Sequence, residues 1–139
     1  MITGASGGIG AALAREMAKR DAVLVLVARR EDRLKALQSE LTAPKNQLTM
    51  TYYPMDITNQ AAVDQMIADV MRRFYKIDVL INNAAYGIDG LFIDTPLEAE
   101  REIFETNLFS ALHIMKKVLP VMEKQGSGKI MNIGSVVGH

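Results

Sequence analysis

A run of apolar residues, Ala22–Ala28, most constrains how this chain can fold. Valine and leucine alternate along it, so side chains pointing to either face of a strand would be equally apolar. Such a run is typical of a strand buried on both faces, as strands are in parallel sheets covered by helices. The run therefore predicts a layered α/β fold.

Strand and helix patterns alternate along the rest of the chain. The predicted strands are Met1–Thr3, Ala22–Ala28, Leu48–Pro54, Asp78–Asn82 and Lys129–Gly134. The predicted helices are Ile9–Lys19, Glu31–Leu41, a third from Thr58 to about Tyr75, and a long fourth from Thr95 to about Lys124. This alternation predicts right-handed βαβ units in a Rossmann-like, doubly wound parallel sheet of five strands, in the order 3-2-1-4-5 and truncated at the C-terminus. Residues 1–139 are expected to form one partial domain.

Local signals predict where the helices begin and end. Pro44 is expected to end the second helix and Thr58 to cap the third. Thr95 and Glu98 fit a capping box for the fourth helix, with Pro96 at its first position. Pro120 is expected to kink this helix or end its regular part. Packing within the chain, rather than against a partner subunit, is the simpler interpretation of its apolar residues Ile103, Leu108, Leu112, Met115 and Leu119.

The balance of charges excludes several classes of function. The chain carries 16 basic and 16 acidic side chains, whereas nucleic-acid and anionic-membrane surfaces need a basic excess. It has no cysteine, and its two histidines, His113 and His139, form no cluster with zinc-ligand spacing. No signal peptide or membrane span is visible. We therefore expect a cytoplasmic protein without a nucleic-acid, membrane or metal partner.

The sharpest local signal is the segment Thr3-Gly-Ala-Ser-Gly-Gly-Ile-Gly10, which joins the first strand to the first helix. A dinucleotide's pyrophosphate must approach backbone N–H groups at a helix N-terminus, and a Cβ atom there would block it. Glycine clusters are also common in ordinary turns, but the strand–turn–helix context favours phosphate binding. We predict that Gly4, Gly8 and Gly10 line a cleft at the carboxyl edge of the sheet.

The end of the second strand indicates which dinucleotide binds. Enzymes that use NAD usually place Asp or Glu there, to bind the ribose 2′-hydroxyl, whereas this strand ends in Ala28 followed by Arg29 and Arg30. A guanidinium suits a phosphate by its charge and its fork of donors. The alternative is that Arg29 and Arg30 are only solvated residues at the start of a helix. This interpretation is weakened because cations are disfavoured at helix N-termini. The sequence favours NADP(H) over NAD(H), with Arg29, and secondarily Arg30 and Ser6, at the 2′-phosphate.

Five segments, in order, resemble motifs of the short-chain dehydrogenase/reductase family. The glycines fit its Gly-x-x-x-Gly-x-Gly pattern, whose spacing differs from that of other dinucleotide folds. The other four are Asp56-Ile57, Asn82-Asn-Ala-Ala85, Asn107 within Glu105–Phe109, and Ser135 within 133–138. The resemblance implies an oxidoreductase acting on a small carbonyl or alcohol, and a homo-oligomeric intact form is compatible with it. The cofactor-binding residues that it implies are Gly4, Ser6, Gly8, Ile9, Gly10, Arg29, Asp56, Ile57, Asn83, Ala84 and Ala85.

The resemblance also implies two catalytic positions. Ser135 would hydrogen-bond the substrate oxygen, and Asn107 would hold a water in the proton relay. Structural alternatives remain: Asp56 as a strand-end turn residue, Asn83 as a partner of loop backbone groups, and Ser135 as an ordinary loop serine. Asn107 lies within a helix, where asparagine has poor propensity, which hints at a specific role.

The sequence departs from the family pattern in three respects. Ala85 replaces a glycine, which would cost about 1 kcal/mol if the position needs a positive φ. Gly7 stands where some NADP-using relatives carry a basic residue. The family's proton donor lies in a Tyr-x-x-x-Lys motif, and lysine follows four residues after none of the tyrosines, which are Tyr52, Tyr53, Tyr75 and Tyr86. The chain is therefore expected to be inactive alone, and a non-catalytic NADP(H)-binding module is the alternative function.

Overall fold

The computed structural model describes residues 1–43 and 49–135, which contain five strands. These are β1 (Ile2–Thr3), β2 (Leu24–Ala28), β3 (Met50–Pro54), β4 (Val79–Asn82) and β5 (Lys129–Asn132). All the pairings are parallel, and the strand order is β3-β2-β1-β4-β5. The predicted fold class and strand order are confirmed.

The helices follow the predicted alternation, with the long fourth helix divided in two. They are α1 (Gly8–Lys19), α2 (Glu31–Thr42), α3 (Gln60–Phe74), α4 (Leu97–Phe104) and α5 (Ser110–Gln125). A short 3₁₀ helix, Phe92–Asp94, precedes α4, and a π-helical turn, Glu105–Phe109, joins α4 to α5. This wide turn contains the predicted catalytic residue Asn107.

Two apolar clusters lie on opposite faces of the sheet, because side chains alternate along β2. Val25 and Val27 pack with residues of α3 and α5, whereas Leu24, Leu26 and Ala28 pack with residues of α1 and α2. All five residues of β2 are buried, which confirms the interpretation of the valine-rich run.

Two predicted helix caps are wrong. The N-cap of α3 is Asn59, whose side chain accepts a hydrogen bond from the Ala62 N–H, while Thr58 instead bonds to the Asp56 carboxylate. At α4, Pro96 is the N-cap residue, and the Thr95 hydroxyl donates back to the Leu91 carbonyl, so no capping box forms. In both places the threonine hydroxyl donates to an acceptor earlier in the chain and does not accept from the N–H groups of the helix. Pro44 lies outside the described residues.

The apolar residues named for the long helix are not the ones that it buries. The buried residues of α5 are Ser110, Ile114, Val118 and Met122, whereas Leu108, Leu112 and Leu119 are exposed. The prediction assumed one regular helix, but a π-turn adds a residue to one turn and rotates the face that follows it. Helix α5 runs through Pro120, and the irregular turn lies nearer its start.

Candidate functional site

The glycine turn between β1 and α1 packs against the loop after β4. Gly4 adopts φ +65°, and a Cβ there would lie 2.8 Å from the Cα of Ala84. A Cβ on Gly10 would lie 2.4 Å from the Gly4 carbonyl oxygen. Gly8 adopts φ +50° with open space around it. Close packing therefore requires glycine at Gly4 and Gly10, and backbone conformation favours it at Gly8.

The first turn of α1 leaves backbone N–H groups available to an anion. Its N-cap residue, Gly7, is extended and offers no side-chain hydrogen bond, and the turn contains no acidic residue. Free N–H groups and the helix dipole both attract phosphate at such a position. The turn thus fits the pyrophosphate of a dinucleotide.

Thr3 and Asn83 join the ends of β1 and β4 beneath the turn. The buried Thr3 hydroxyl accepts hydrogen bonds from the N–H groups of Asn83 and Ala84, both at 3.0 Å. Nδ2 of Asn83 donates to the carbonyl oxygens of Thr3 at 3.1 Å and Gly4 at 3.3 Å. Asn83 therefore satisfies backbone groups of the loop, as the structural alternative for this residue predicted. It also lines the site. Thr3 is not among the site residues predicted from the sequence, although its hydroxyl directly precedes the glycine turn.

Two guanidinium groups follow β2. Nη2 of Arg30 donates to the Ser6 hydroxyl at 3.3 Å and lies 3.4 Å from where a Cβ of Gly7 would stand. Within residues 1–43 and 49–135, Arg29 makes no hydrogen bond or ion pair. The sequence ranked Arg29 first, whereas the structure places Arg30 against Ser6. Their positive charges lie together at this end of the site.

Asp56 and Ile57 follow β3 in opposite environments. Oδ1 of the exposed Asp56 accepts hydrogen bonds from the N–H and the hydroxyl of Thr58, both at 2.9 Å. The Ile57 side chain is buried in the core. Asp56 therefore forms a turn at the end of the strand, as the structural alternative for this residue predicted. Asp56 also lines the site.

The loop after β4 is held by Asn107. Oδ1 of Asn107 accepts a hydrogen bond from the Tyr86 N–H, and Nδ2 donates to the Tyr86 carbonyl, both at 2.8 Å. The Ser110 hydroxyl donates to the Glu105 carbonyl at 2.7 Å across the π-turn that carries Asn107. Ala85 has no positive φ, so the strain considered for it does not arise. Asn107 thus fixes the backbone of this loop.

These elements enclose a cavity of about 530 Å³ at the carboxyl edge of the sheet. Most of the predicted cofactor-binding residues line it, but Gly8 and Gly10 do not, which corrects the prediction that all three glycines would. The predicted lining residues are Gly4, Ser6, Ile9, Arg29, Asp56, Ile57, Asn83, Ala84 and Ala85. The additional ones are Gly7, Ala28, Arg30, Met55, Tyr86 and Thr106.

A family model described as short chain dehydrogenase matches residues 1–139, the whole chain. The chain belongs to this family. It is 34% identical over 138 residues to the 3-oxoacyl-[acyl-carrier-protein] reductase of Escherichia coli, covering 99% of this chain and 54% of that protein. The chain thus spans about half the length of the curated relatives that it matches.

Two solved structures share the fold of this chain. L-sorbose reductase from Gluconobacter frateurii, complexed with NADPH and L-sorbose, matches with a TM-score of 0.90 and 30% identity, over 97% of this chain and 51% of that one. A metagenomic short-chain oxidoreductase in complex with NADP matches with a TM-score of 0.90 and 29% identity, over 99% of this chain and 61% of that one.

The two predicted catalytic positions of this short-chain dehydrogenase chain are placed differently. Asn107 contacts Tyr86, which lines the cavity, but does not line it itself. Ser135 is exposed just beyond β5, where the Ile133 N–H donates to the Asn82 carbonyl at 2.9 Å, and it does not line the cavity either. The sequence predicts that Asn107 and Ser135 open onto the same crevice, and this stays a prediction.

The remaining charged groups support the packing of helices. Nε2 of His113, on α5, lies 2.8 Å from Oδ1 of Asp64 on α3, and Lys117 donates to Oδ2 at 2.6 Å. The Lys117 hydrogen bond, with a smaller effect from His113, lowers the pKa of Asp64. His113 thus joins α5 to α3, while His139 lies outside the described residues. In the part of the chain described, no helix is long and apolar enough to span a bilayer, and no cluster of acidic residues and histidines fits a metal.

Proposed function

We propose that residues 1–139 are a partial NADP(H)-binding domain of an oxidoreductase that exchanges hydride between NADP(H) and a carbonyl or alcohol substrate. The pair of guanidinium groups at the end of β2 carries this proposal. Arg29 and Arg30 line the cavity, and no carboxylate follows β2 where an NAD enzyme would bind the ribose hydroxyl. The neighbours solved with NADPH and NADP support the same cofactor class.

Each part of the site has a role in this proposal. The N–H groups at the start of α1 bind the pyrophosphate, because Gly4 and Gly10 keep the approach free of Cβ atoms. Arg30 and Ser6, with Arg29, bind the 2′-phosphate through charge-assisted hydrogen bonds. Asp56 and Ile57 border the nucleobase, and the loop 83–86 borders the nicotinamide side.

The chemistry belongs to the cofactor, which supplies or accepts a hydride when it is bound. The chain's own groups would bind and orient the reactants. Ser135 would donate a hydrogen bond to the substrate oxygen, and Asn107 would support the relay by fixing the backbone at Tyr86. Orientation of this kind is a large part of enzymatic rate enhancement.

The 2′-phosphate assignment is tested by titrating the chain with NADPH and NADH. We expect NADPH to bind about tenfold more tightly, since hydrogen bonds to charged groups contribute about 1.5–3 kcal/mol. Arg29→Gln and Arg30→Gln should each reduce this preference, and Arg29→Asp should shift it toward NADH. Arg33→Gln is the matched control, because Arg33 lies on α2 but does not line the cavity. An unchanged preference in both cavity variants would contradict the assignment.

A second candidate function is a module that binds NADP(H) without catalysis. It requires only the cofactor cavity, whose lining residues all lie within the described part of the chain. Cofactor titration of the chain supports both candidates equally, so the measurement that separates them is turnover by a longer protein that contains these residues.

A further inference from the structure

A second cavity, of about 380 Å³, extends the cofactor cavity toward α4. The two cavities share four lining residues, which are Arg29, Asp56, Tyr86 and Thr106. The second cavity adds Thr58, Glu102 and Glu105. The site therefore continues past the ends of β2 and β3 to a wall that carries two further carboxylates.

The position of these carboxylates follows from the helix that carries them. Glu102 precedes Thr106 by four residues along a helical segment, so the two side chains lie on the same side of it. Within residues 1–43 and 49–135, neither Glu102 nor Glu105 makes an ion pair or a side-chain hydrogen bond. Arg29 lines the same cavity and makes no ion pair within these residues either.

The proposed cofactor orientation decides what enters this space. With the pyrophosphate at the glycine turn and the 2′-phosphate at Arg30, the base on the same ribose extends past Asp56. Oδ1 of Asp56 already accepts two hydrogen bonds from Thr58. Adenine carries an exocyclic amine that only donates hydrogen bonds, and an ionised carboxylate only accepts them.

We propose that Glu102 and Glu105 form a base-selecting wall, which accepts hydrogen bonds from the exocyclic amine of adenine. This inference rests on the proposed function. The wall selects adenine over a base with a carbonyl oxygen at the same position, because carboxylate and carbonyl oxygens are both acceptors and repel each other. Selection is therefore a matter of hydrogen-bond direction, and Arg29 offsets part of the negative charge.

The test compares NADPH with its hypoxanthine analogue, in which a carbonyl oxygen replaces the adenine amine. Calorimetric titration of the 139-residue chain should show about tenfold tighter binding of NADPH, in line with one hydrogen bond to a charged group. Glu102→Gln and Glu105→Gln replace an acceptor by an amide that also donates, so at least one should reduce the preference to about twofold or invert it. Glu98→Gln is the control, since Glu98 lies on α4 but lines neither cavity.

The outcomes separate this inference from the proposed function. Equal affinities of the unmodified chain for the two dinucleotides would overturn the base-selecting wall alone. A preference unchanged in both cavity variants, each shown to be folded by its thermal transition, would also overturn it. Failure of the folded chain to bind either dinucleotide would overturn the proposed function, and the wall with it.

Discussion

The two halves of the sheet differ in how completely their apolar residues are covered. In the first half, residues 1–43 and 49–74, all five residues of β2 are buried. In the second half, residues 79–135, no residue of β5 is buried. Phe92 and Ile93, before α4, are 84% and 87% exposed. The first half is packed by α1 and α2 on one face and by α3, together with α5 of the second half, on the other, whereas β5 and the segment before α4 stay largely uncovered.

This difference separates the two parts of the proposed function. The glycine turn, the arginines and the end of β3 belong to the well-packed half, so we expect most cofactor contacts there, with the loop 83–86 of the second half closing the cavity. The predicted substrate contact, Ser135, belongs to the open half. Binding and turnover should therefore be separable in this chain.

The largest expected effect is on turnover. We predict that the 139-residue chain reduces no ketone or aldehyde at a measurable rate, since a positioned proton donor contributes typically about 10²–10⁴-fold and none is identified here. The measurement is the loss of NADPH absorbance over a panel of carbonyl compounds. A parallel NADPH titration controls for folding. Robust turnover would contradict the division between the halves and the non-catalytic candidate together.

The next effect is on the packing of the first half. Gly10→Ala should lower the free energy of unfolding by about 3 kcal/mol, because the new Cβ would overlap the Gly4 carbonyl oxygen. Gly8→Ala meets open space but keeps a positive φ, so it should cost about 1 kcal/mol. Gly87→Ala, with neither constraint, is the control in urea unfolding. Equal losses at Gly10 and Gly8 would show that the turn is less tightly packed than the distances indicate.

A third effect concerns the contact that ties the second half to the cofactor cavity. Asn107→Ala removes two hydrogen bonds to Tyr86 and improves helix propensity, so the net loss of stability should be about 1 kcal/mol. NADPH affinity should fall several-fold, because Tyr86 lines the cavity. Lys116→Ala, at an exposed position of α5, is the control. Unchanged affinity in Asn107→Ala would show that the loop holds its shape without the contact.

The sequence predicts local elements better than contacts between residues that are far apart in the chain. The β2 run is a local pattern, and its interpretation as a strand buried on both faces is confirmed. The glycine turn is also a local pattern, and its predicted place between β1 and α1 is confirmed. The Thr3–Asn83 contact joins residues far apart in the chain, so no local pattern indicates it. The π-turn at Asn107 interrupts the helical period, so the single long helix predicted there is two helices. Sequence periodicity assigns elements well, but it does not show which side chains meet between them.

The smallest effect is a pH dependence at the outer edge of the first half. The Tyr53 hydroxyl, on β3, donates to Oδ2 of Asp69 on α3 at 2.5 Å. Burial raises the pKa of Tyr53, and the Asp69 hydrogen bond acts in the same direction. Because the folded state holds this proton more tightly, the stabilisation is present below the unfolded tyrosine pKa of about 10 and is lost as the pH rises through the folded value.

Tyr53→Phe tests this contribution against Tyr52→Phe, its neighbour on the same strand. We expect Tyr53→Phe to lower stability at neutral pH by no more than about 1 kcal/mol, the usual net contribution of a partly exposed hydrogen bond. Urea unfolding between about pH 7 and pH 11 should show a shallower alkaline loss for this variant than for Tyr52→Phe, because Tyr53→Phe removes the group whose pKa is raised in the folded state. Tyr75, Tyr86 and the lysines are present in both variants, so their contributions cancel in the difference between the two profiles. Parallel profiles would mean that β3 is held to α3 by packing alone.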